Sequence, residues 1–215
     1  MAPCGASART NIWKALGPVL MAVILPATAL GFDWSNDAPR LDYQGGLQLQ
    51  RDFTRIGSSL ILTWRGLGLE LEHEEGDPFR EVAAALFSGT VMESDLYRLK
   101  AVYRWPLGRQ LNCRLSAGYG CGDSRVSFET GILPLVIAAG LGFYWDGKGY
   151  SYSERTNTWT AKAALEKDFW EIFKAELLAG ISHYNYSDDL KMLYSVHNWS
   201  PSIGLALGIH TPFGR

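Results

Sequence analysis

The sequence predicts an all-β fold, an antiparallel up-and-down transmembrane β-barrel of eight to ten strands. Three observations predict it: apolar and polar residues alternate along most of the chain beyond residue 40, aromatic side chains gather near strand ends, and the N-terminus reads as an export signal. The length of 215 residues fits one domain able to bury a core. Hydrophobic residues at 47% against charged ones at 20% exclude a disordered chain, and a net charge of -2 offers none of the basic surface that nucleic acid requires. A mean hydropathy of -0.05, with no second long apolar run after residue 31, excludes a helical membrane protein and leaves a barrel open.

Residues 1–31 carry the parts of a secretory signal: Arg9 and Lys14 in a positive n-region, an apolar run over 15–25, and the small-x-small cleavage pattern Ala27-Thr28-Ala29. Pro18 and Pro26 interrupt the run, which is short for a membrane span, so cleavage is expected between Leu30 and Phe32, leaving residues 32–215 as the barrel domain. Cys4 precedes the apolar run and cannot serve as a lipid-anchor cysteine. Cys113 and Cys121, if on one extended strand, lie roughly 26 Å apart and are expected as free thiols. With no CxxC, HExxH or His/Cys cluster, no metal site and no cofactor are expected.

The strands follow in order. Leu41, Tyr43, Leu47 and Leu49 alternate with Asp42, Gln44, Gln48 and Gln50. From Ser59 to Glu74 the apolar parity changes midway, Leu60, Leu62 and Trp64 giving way to Leu67, Leu69 and Leu71, and a β-bulge at Arg65-Gly66 reconciles the halves. Tyr97, Leu99, Ala101, Tyr103 and Trp105 oppose Arg98, Lys100 and Arg104. Past the turn at 106–109, Leu111, Cys113, Leu115, Ala117 and Tyr119 oppose Asn112, Arg114, Ser116, Gly118 and Gly120. Val126 and Phe128 oppose Arg125 and Glu129, and a further alternating stretch runs from Leu135 to Trp145. The last three strands centre on Trp159 to Glu166, Phe173 to Ser182, and Trp199 to Ile209.

Aromatic placement decides which face is inside. One set of strand ends carries Tyr43, Tyr97, Tyr119, Trp145, Trp159, Tyr184 and Trp199, and the other carries Phe53, Trp105, Phe169, Trp170, Phe173 and Phe213. Two aromatic girdles around an apolar band, on strands of roughly 9 to 11 residues, are the layout of a barrel facing lipid. The opposite face then lines the lumen with Arg98, Lys100, Arg104, Arg114, Arg125, Lys162 and Lys174 against Asp42, Glu70, Glu72, Glu74, Glu129, Glu166 and Glu176, which can pair inside. The same alternation also fits a soluble periplasmic barrel or sandwich that turns its apolar face inward onto an apolar ligand.

With its signal peptide, repeated amphipathic strands, and a terminal strand of Ile203, Leu205, Leu207 and Ile209 ending near Phe213, the chain resembles the small outer-membrane β-barrel proteins of Gram-negative bacteria over about residues 41–213. The resemblance implies localisation in the outer membrane, with outer-membrane lipid and the assembly machinery as partners. In that family the aromatic is typically the last residue, whereas Gly214 and Arg215 follow it here.

Such barrels have short periplasmic turns and longer outer loops. The turns at 52–56, 106–109 and 168–172 all fall at the Phe-rich end, which is therefore expected to be periplasmic, with 75–93, 146–157 and 185–198 facing outward. The strand at 41–53 then runs inward, and an even-stranded barrel needs one more strand from residues 32–38, favouring ten strands over eight. Asp77-Pro78, apolar Phe79, Val82, Ala83 and Leu86, and Gly89 predict a short amphipathic helix in the first outer loop.

The ion pairs of the lumen are expected to fill a narrow barrel. Three roles stay open: a structural or surface-binding barrel, a narrow pore, and a lipid-modifying hydrolase. The hydrolase would rest on His183 and Ser187, since a His polarising a Ser is the minimum for acyl transfer. The His-x-Ser-Asn pattern of outer-membrane lipid A deacylases is absent, and no Glu follows position 176.

Overall fold

The computed structural model describes residues 39–108, 110–141, 151–169 and 172–212. Eight strands close into one antiparallel barrel in sequence order: β1 Arg40–Gln50, β2 Thr54–Trp64, β3 Leu67–Glu75, β4 Gly89–Pro106, β5 Leu111–Glu129, β6 Ser151–Phe169, β7 Phe173–Tyr184 and β8 Trp199–Pro212. β1 pairs with β8 from Arg40↔Pro212 to Gln50↔Ser202, which removes any free sheet edge along that seam. Among the described residues three helices sit between strands: α1 Pro78–Phe87, α2 Ile132–Gly140 and α3 Asp188–Tyr194.

The barrel therefore has eight strands, not ten, and the cause of the difference lies at Arg65-Gly66. Both residues have positive φ, 52° and 80°, and Trp64 pairs directly with Leu67. This is a two-residue hairpin turn rather than a bulge. Residues flanking such a turn face the same side of the sheet, so the apolar parity moves from even to odd numbers. With a chain reversal at 65–66, β1 runs toward the long-loop end, and the 51–53 turn lies there rather than at the end where β4 passes to β5 and β6 to β7. No strand from residues 32–38 is required to close the ring, and those residues, like the signal peptide at 1–31, lie outside the described residues.

α1 forms where the sequence places it. Asp77 caps it by accepting the Arg80 N–H at 3.2 Å, Pro78 opens it, and Ser88 ends it at φ 73°. The stretch read as a strand from Leu135 to Trp145 is instead helix α2 up to Gly140, with residues 142–150 outside the described residues. Its unbroken apolar run carries no period that separates helix from strand, and Pro134 in the first turn is compatible with a helix.

β4, β5 and β6 have 18, 19 and 19 residues, against 9 to 14 for the other strands. They project as a three-stranded sheet beyond the long-loop rim, and there the polarity of the two faces inverts. On β4, Arg98, Lys100 and Arg104 point inward within the barrel, but Met92 and Leu96 point inward above it, with Glu93 and Asp95 outside.

Candidate functional site

The interior of the barrel is the densest assembly of charged groups in the described residues. Even-numbered positions of β3 to β8 and of β1, and odd-numbered positions of β2, face it. The strands thereby deliver seven buried cations, Arg55, Arg98, Lys100, Arg104, Arg114, Lys162 and Lys174, and six buried carboxylates, Asp42, Glu70, Glu72, Glu74, Glu166 and Glu176. Each cation reaches at least one carboxylate. Near the turn end Arg104 bridges Asp42 and Glu166, and Lys174 holds Glu176 at 2.6 Å. In the middle Arg114 spans Glu70 and Glu176 at 2.6 Å each and also contacts Glu166, while Lys100 meets Glu70 at 2.6 Å. Toward the loop end Lys162 holds Glu72 at 2.6 Å, Arg98 bridges Glu72 and Glu74, and Arg55 meets Glu74 at 2.6 Å.

These contacts join into one chain, from Asp42 through Arg104, Glu166, Arg114, Glu70, Lys100, Glu72, Arg98 and Glu74 to Arg55. Charges taken out of water persist only when paired and hydrogen-bonded, and here neighbouring hydroxyls and amides add to the ion pairs: Thr63 accepts from Arg104 at 2.9 Å and Gln48 from Lys162 at 2.8 Å. A cavity of about 20 Å³ remains beside Gln44, Gln48, Ser59, Glu70, Glu72 and Lys162. That space suits a single water with polar partners.

An apolar plug closes the loop end above the ion pairs. Phe53, Met92, Leu96, Val126, Tyr184, Tyr186, Leu190, Tyr194 and Val196 form one buried cluster. Tyr184 is its polar floor: its ring stacks on Tyr186 at 5.1 Å, and its hydroxyl accepts from Arg98 at 3.1 Å and donates to Glu74 at 3.0 Å. The Arg55 guanidinium lies over the rings of Phe53 and Tyr184 at 4.2 and 4.8 Å and donates to the Tyr186 hydroxyl at 2.9 Å. α3 lies across the top. Ser187 caps it by accepting the Leu190 N–H at 3.2 Å, Glu154 accepts the Ser187 N–H at 3.0 Å, and Arg80 stacks on Tyr194 at 4.9 Å. Burial pushes the phenols of Tyr186 and Tyr194 above the ordinary tyrosine range, against the pull of Arg55 and Arg80 respectively, so the plug carries no phenolate.

One of the residues assigned to the lumen from the sequence differs. Arg125 is exposed on the outward face of β5, because odd residues of that strand face outward without interruption and Val126 turns into the plug. Glu129 lies at the end of β5, paired with Gly89, with its side chain outside the described residues. Arg55 was not anticipated, having been placed in a turn. The alternation of Arg55, Ser59, Ile61 and Thr63 with Ile56, Leu60, Leu62 and Trp64 was the signal for it.

Two aromatic belts encircle the outside. At the loop-end rim, Tyr119 pairs with Trp159, Trp159 with His183, and His183 with Trp199, and Tyr97 continues the belt through its pairing with Cys121. At the turn end the belt holds Tyr43, Trp64, Trp105, Phe169 and Phe173. Tyr43 thus belongs to the opposite belt from the one predicted, since β1 runs the other way. Tyr184 belongs to neither: it sits at a strand end but on an inward, even position. Phe53 is buried in the plug, at the loop end. Trp145, Trp170 and Phe213 lie outside the described residues.

His183 and Ser187 do not form a dyad. The His183 ring packs against Trp199 at 4.6 Å on the outer belt, whereas the Ser187 hydroxyl caps α3 and contacts the Tyr152 hydroxyl at 3.2 Å. Cys113 and Cys121 are free thiols.

No family model matches the sequence, and no curated protein does. Solved structures do match. A major outer membrane protein from Thermus thermophilus aligns with a TM-score of 0.60 at 10% identity, over 81% of this chain and 100% of that one. Neisserial surface protein A aligns at 0.49 and 10% identity, over 83% and 98%, and the N-terminal β-barrel domain of Pseudomonas aeruginosa OprF at 0.46 and 15%, over 80% and 97%. With eight strands closed in sequence order, two aromatic belts and this alignment to the Thermus protein, the chain has the fold of the small outer-membrane β-barrel proteins.

Proposed function

We propose that the protein is an exported, integral outer-membrane barrel that carries no open channel and serves as a structural anchor presenting its loop end for surface binding. The observation that carries this reading is the interior: a continuous chain of ion pairs from wall to wall, sealed at the loop end by an apolar plug. An aqueous pore needs a wetted passage, and a cavity of about 20 Å³ is too small for a solute.

The outward face supports the membrane. Leu205 and Leu207 are 67% and 74% exposed, and Leu62, Leu69, Leu71, Leu177 and Ile203 are about half exposed on the same band. In water such a band costs about 25 cal/mol for each Å² left uncovered, whereas in lipid it is solvated. In this reading the signal at residues 1–31 directs export, the assembly machinery inserts the barrel through its terminal strand, and the long-loop end faces the outside.

Fractionation followed by electrophoresis without boiling tests the membrane location. Outer-membrane recovery with a mobility shift on boiling is expected, and soluble periplasmic recovery would overturn it. Planar-bilayer recording tests the closed interior. Silence is expected, and a steady unitary conductance would make the protein a narrow pore instead.

A further inference from the structure

The two helices at the tip of the projecting sheet carry an apolar surface that no other described residue covers. α1 and α2 meet there, the Gly131 N–H donating to the Ser88 hydroxyl at 2.7 Å, while α1 also packs on β4 and buries Ala84. Beside the exposed Arg80 of α1, what they leave open is apolar: Phe79, Val82 and Phe87 on α1, and Ile132, Val136 and Ile137 on α2, each more than half exposed. No charged residue occurs from Thr130 to Leu141.

Lipid of the protein's own bilayer does not reach α2 and the end of α1. Gly89, where α1 joins β4, lies eight residues beyond Tyr97 of the outer belt, and Glu129 pairs with it across β5. Eight residues span about 26 Å along a strand, or roughly 20 Å above the belt at the usual tilt. This height rests on the membrane reading given above. An exposed apolar patch held in water marks an interaction site. The exposed apolar area of the two helices is on the order of the ~800 Å² that each partner contributes to a standard interface.

We propose that this patch is a self-association surface, on which a second copy of the chain seats its own α1 and α2. In an isologous contact the residues beside the two-fold axis meet their own counterparts, so like charges there would repel, and the uncharged apolar stretch of α2 is the composition that such a position accepts. Interfacial membrane helices instead carry Lys or Arg on a polar face, which α2 lacks altogether.

Cross-linking in native membranes tests the proposal. In a Cys113→Ser, Cys121→Ser background, Val136→Cys is expected to yield a disulfide-linked species of twice the chain mass under mild oxidation. Met192→Cys, more exposed but on α3, is expected to yield none. In nanodiscs the unmodified chain is expected to self-associate, and Val136→Glu to weaken that association about a hundredfold or more, with the barrel still showing its shift on boiling. A monomeric chain in nanodiscs, equal cross-linking of both cysteine variants, or a cross-linked product of another mass would overturn the proposal. Tethering of added protein-free lipid vesicles by an otherwise monomeric chain would overturn it in favour of a lipid occupant. Each of these failures, if accompanied by outer-membrane recovery and heat-modifiable mobility, leaves the membrane reading standing, whereas soluble recovery removes the membrane reading itself and the proposal with it.

Discussion

Arg114 on β5 and Glu176 on β7 meet at 2.6 Å across the barrel although β6 lies between their strands. Arg114 also holds Glu70 from β3, so one guanidinium ties together walls that share no backbone hydrogen bond. Arg114→Ala leaves Glu70, Glu166 and Glu176 crowded without their shared cation. Removing one partner of a buried pair typically costs about 3 to 5 kcal/mol, because the charge left behind is uncompensated. The expected outcome is an unfolding midpoint, followed by gel mobility in urea, well below that of the unmodified barrel. A shift within the range of surface substitutions would show that the interior is wet and already compensated.

Leu205 lies midway along β8 between Trp199 of one belt and Ile209, which pairs with Tyr43 of the other. In lipid, Leu205→Arg at that depth costs about 2 to 4 kcal/mol, whereas on a water-exposed surface such changes stay within about 0.5 kcal/mol. Equilibrium unfolding from liposomes separates the two. Near-neutral behaviour would remove lipid from this face.

Gly120 pairs with Arg98, and a Cβ there would sit 2.1 Å from the Tyr97 carbonyl oxygen and 2.5 Å from Arg98 Cγ. Backbone cannot yield as a side-chain tip can. Gly120→Val is therefore expected to cost about 1 to 3 kcal/mol and to lower the yield of heat-modifiable protein. Gly108, whose Cβ would meet nothing within 4 Å, supplies the control: Gly108→Ala is expected to assemble normally.

The turn at Arg65-Gly66 shows where the sequence was legible and where it was not. Alternation put Glu70, Glu72, Arg98, Lys100, Arg104, Arg114, Lys162, Glu166, Lys174 and Glu176 on the face that the structure buries, because period two is a property of every strand, but it also gave a strand from Leu135 where α2 lies. It could not say whether a parity change is a bulge or a turn. Arg at the first central position hid the hairpin, since Asn, Asp or Gly is the usual occupant. That one ambiguity reversed the direction of β1 and moved Tyr43 to the wrong belt. A second difficulty was the inversion of polarity above the rim, where water lies outside and the plug inside. Arg125 and Val126 follow the inverted rule, as do Glu93 and Leu96.

Because Gly66 holds φ 80°, Gly66→Val forces a branched side chain into a left-handed conformation at a cost of about 1 to 2 kcal/mol. Arg65→Asn, which tolerates that region, is expected to be close to neutral despite loss of the guanidinium stacked 5.1 Å from Trp64. Thermal midpoints of the mobility shift for the two variants check the assignment. Equal stability of both would return the segment to a bulge.

α3 is expected to open without the barrel. It is a seven-residue helix held by Leu190 and Tyr194 below, by the Ser187 cap, and by Asp52, which accepts the His197 N–H at 2.9 Å. None of these contacts belongs to the strand ladder, so their loss is felt locally. Leu190→Ala removes a fully buried side chain, worth about 2 to 5 kcal/mol, and Ser187→Ala removes a cap worth about 1 kcal/mol. Lys191 lies on this helix and offers trypsin a cleavage site that the native fold presents in helical form. Cleavage after Lys191 is expected to accelerate about thirtyfold or more in Leu190→Ala and severalfold in Ser187→Ala, with the boiling-dependent shift of the barrel unchanged in both. Unchanged cleavage in Leu190→Ala would mean that α3 is held by something other than the apolar plug. Loss of the shift would mean that the plug and the ion-paired barrel unfold as one unit.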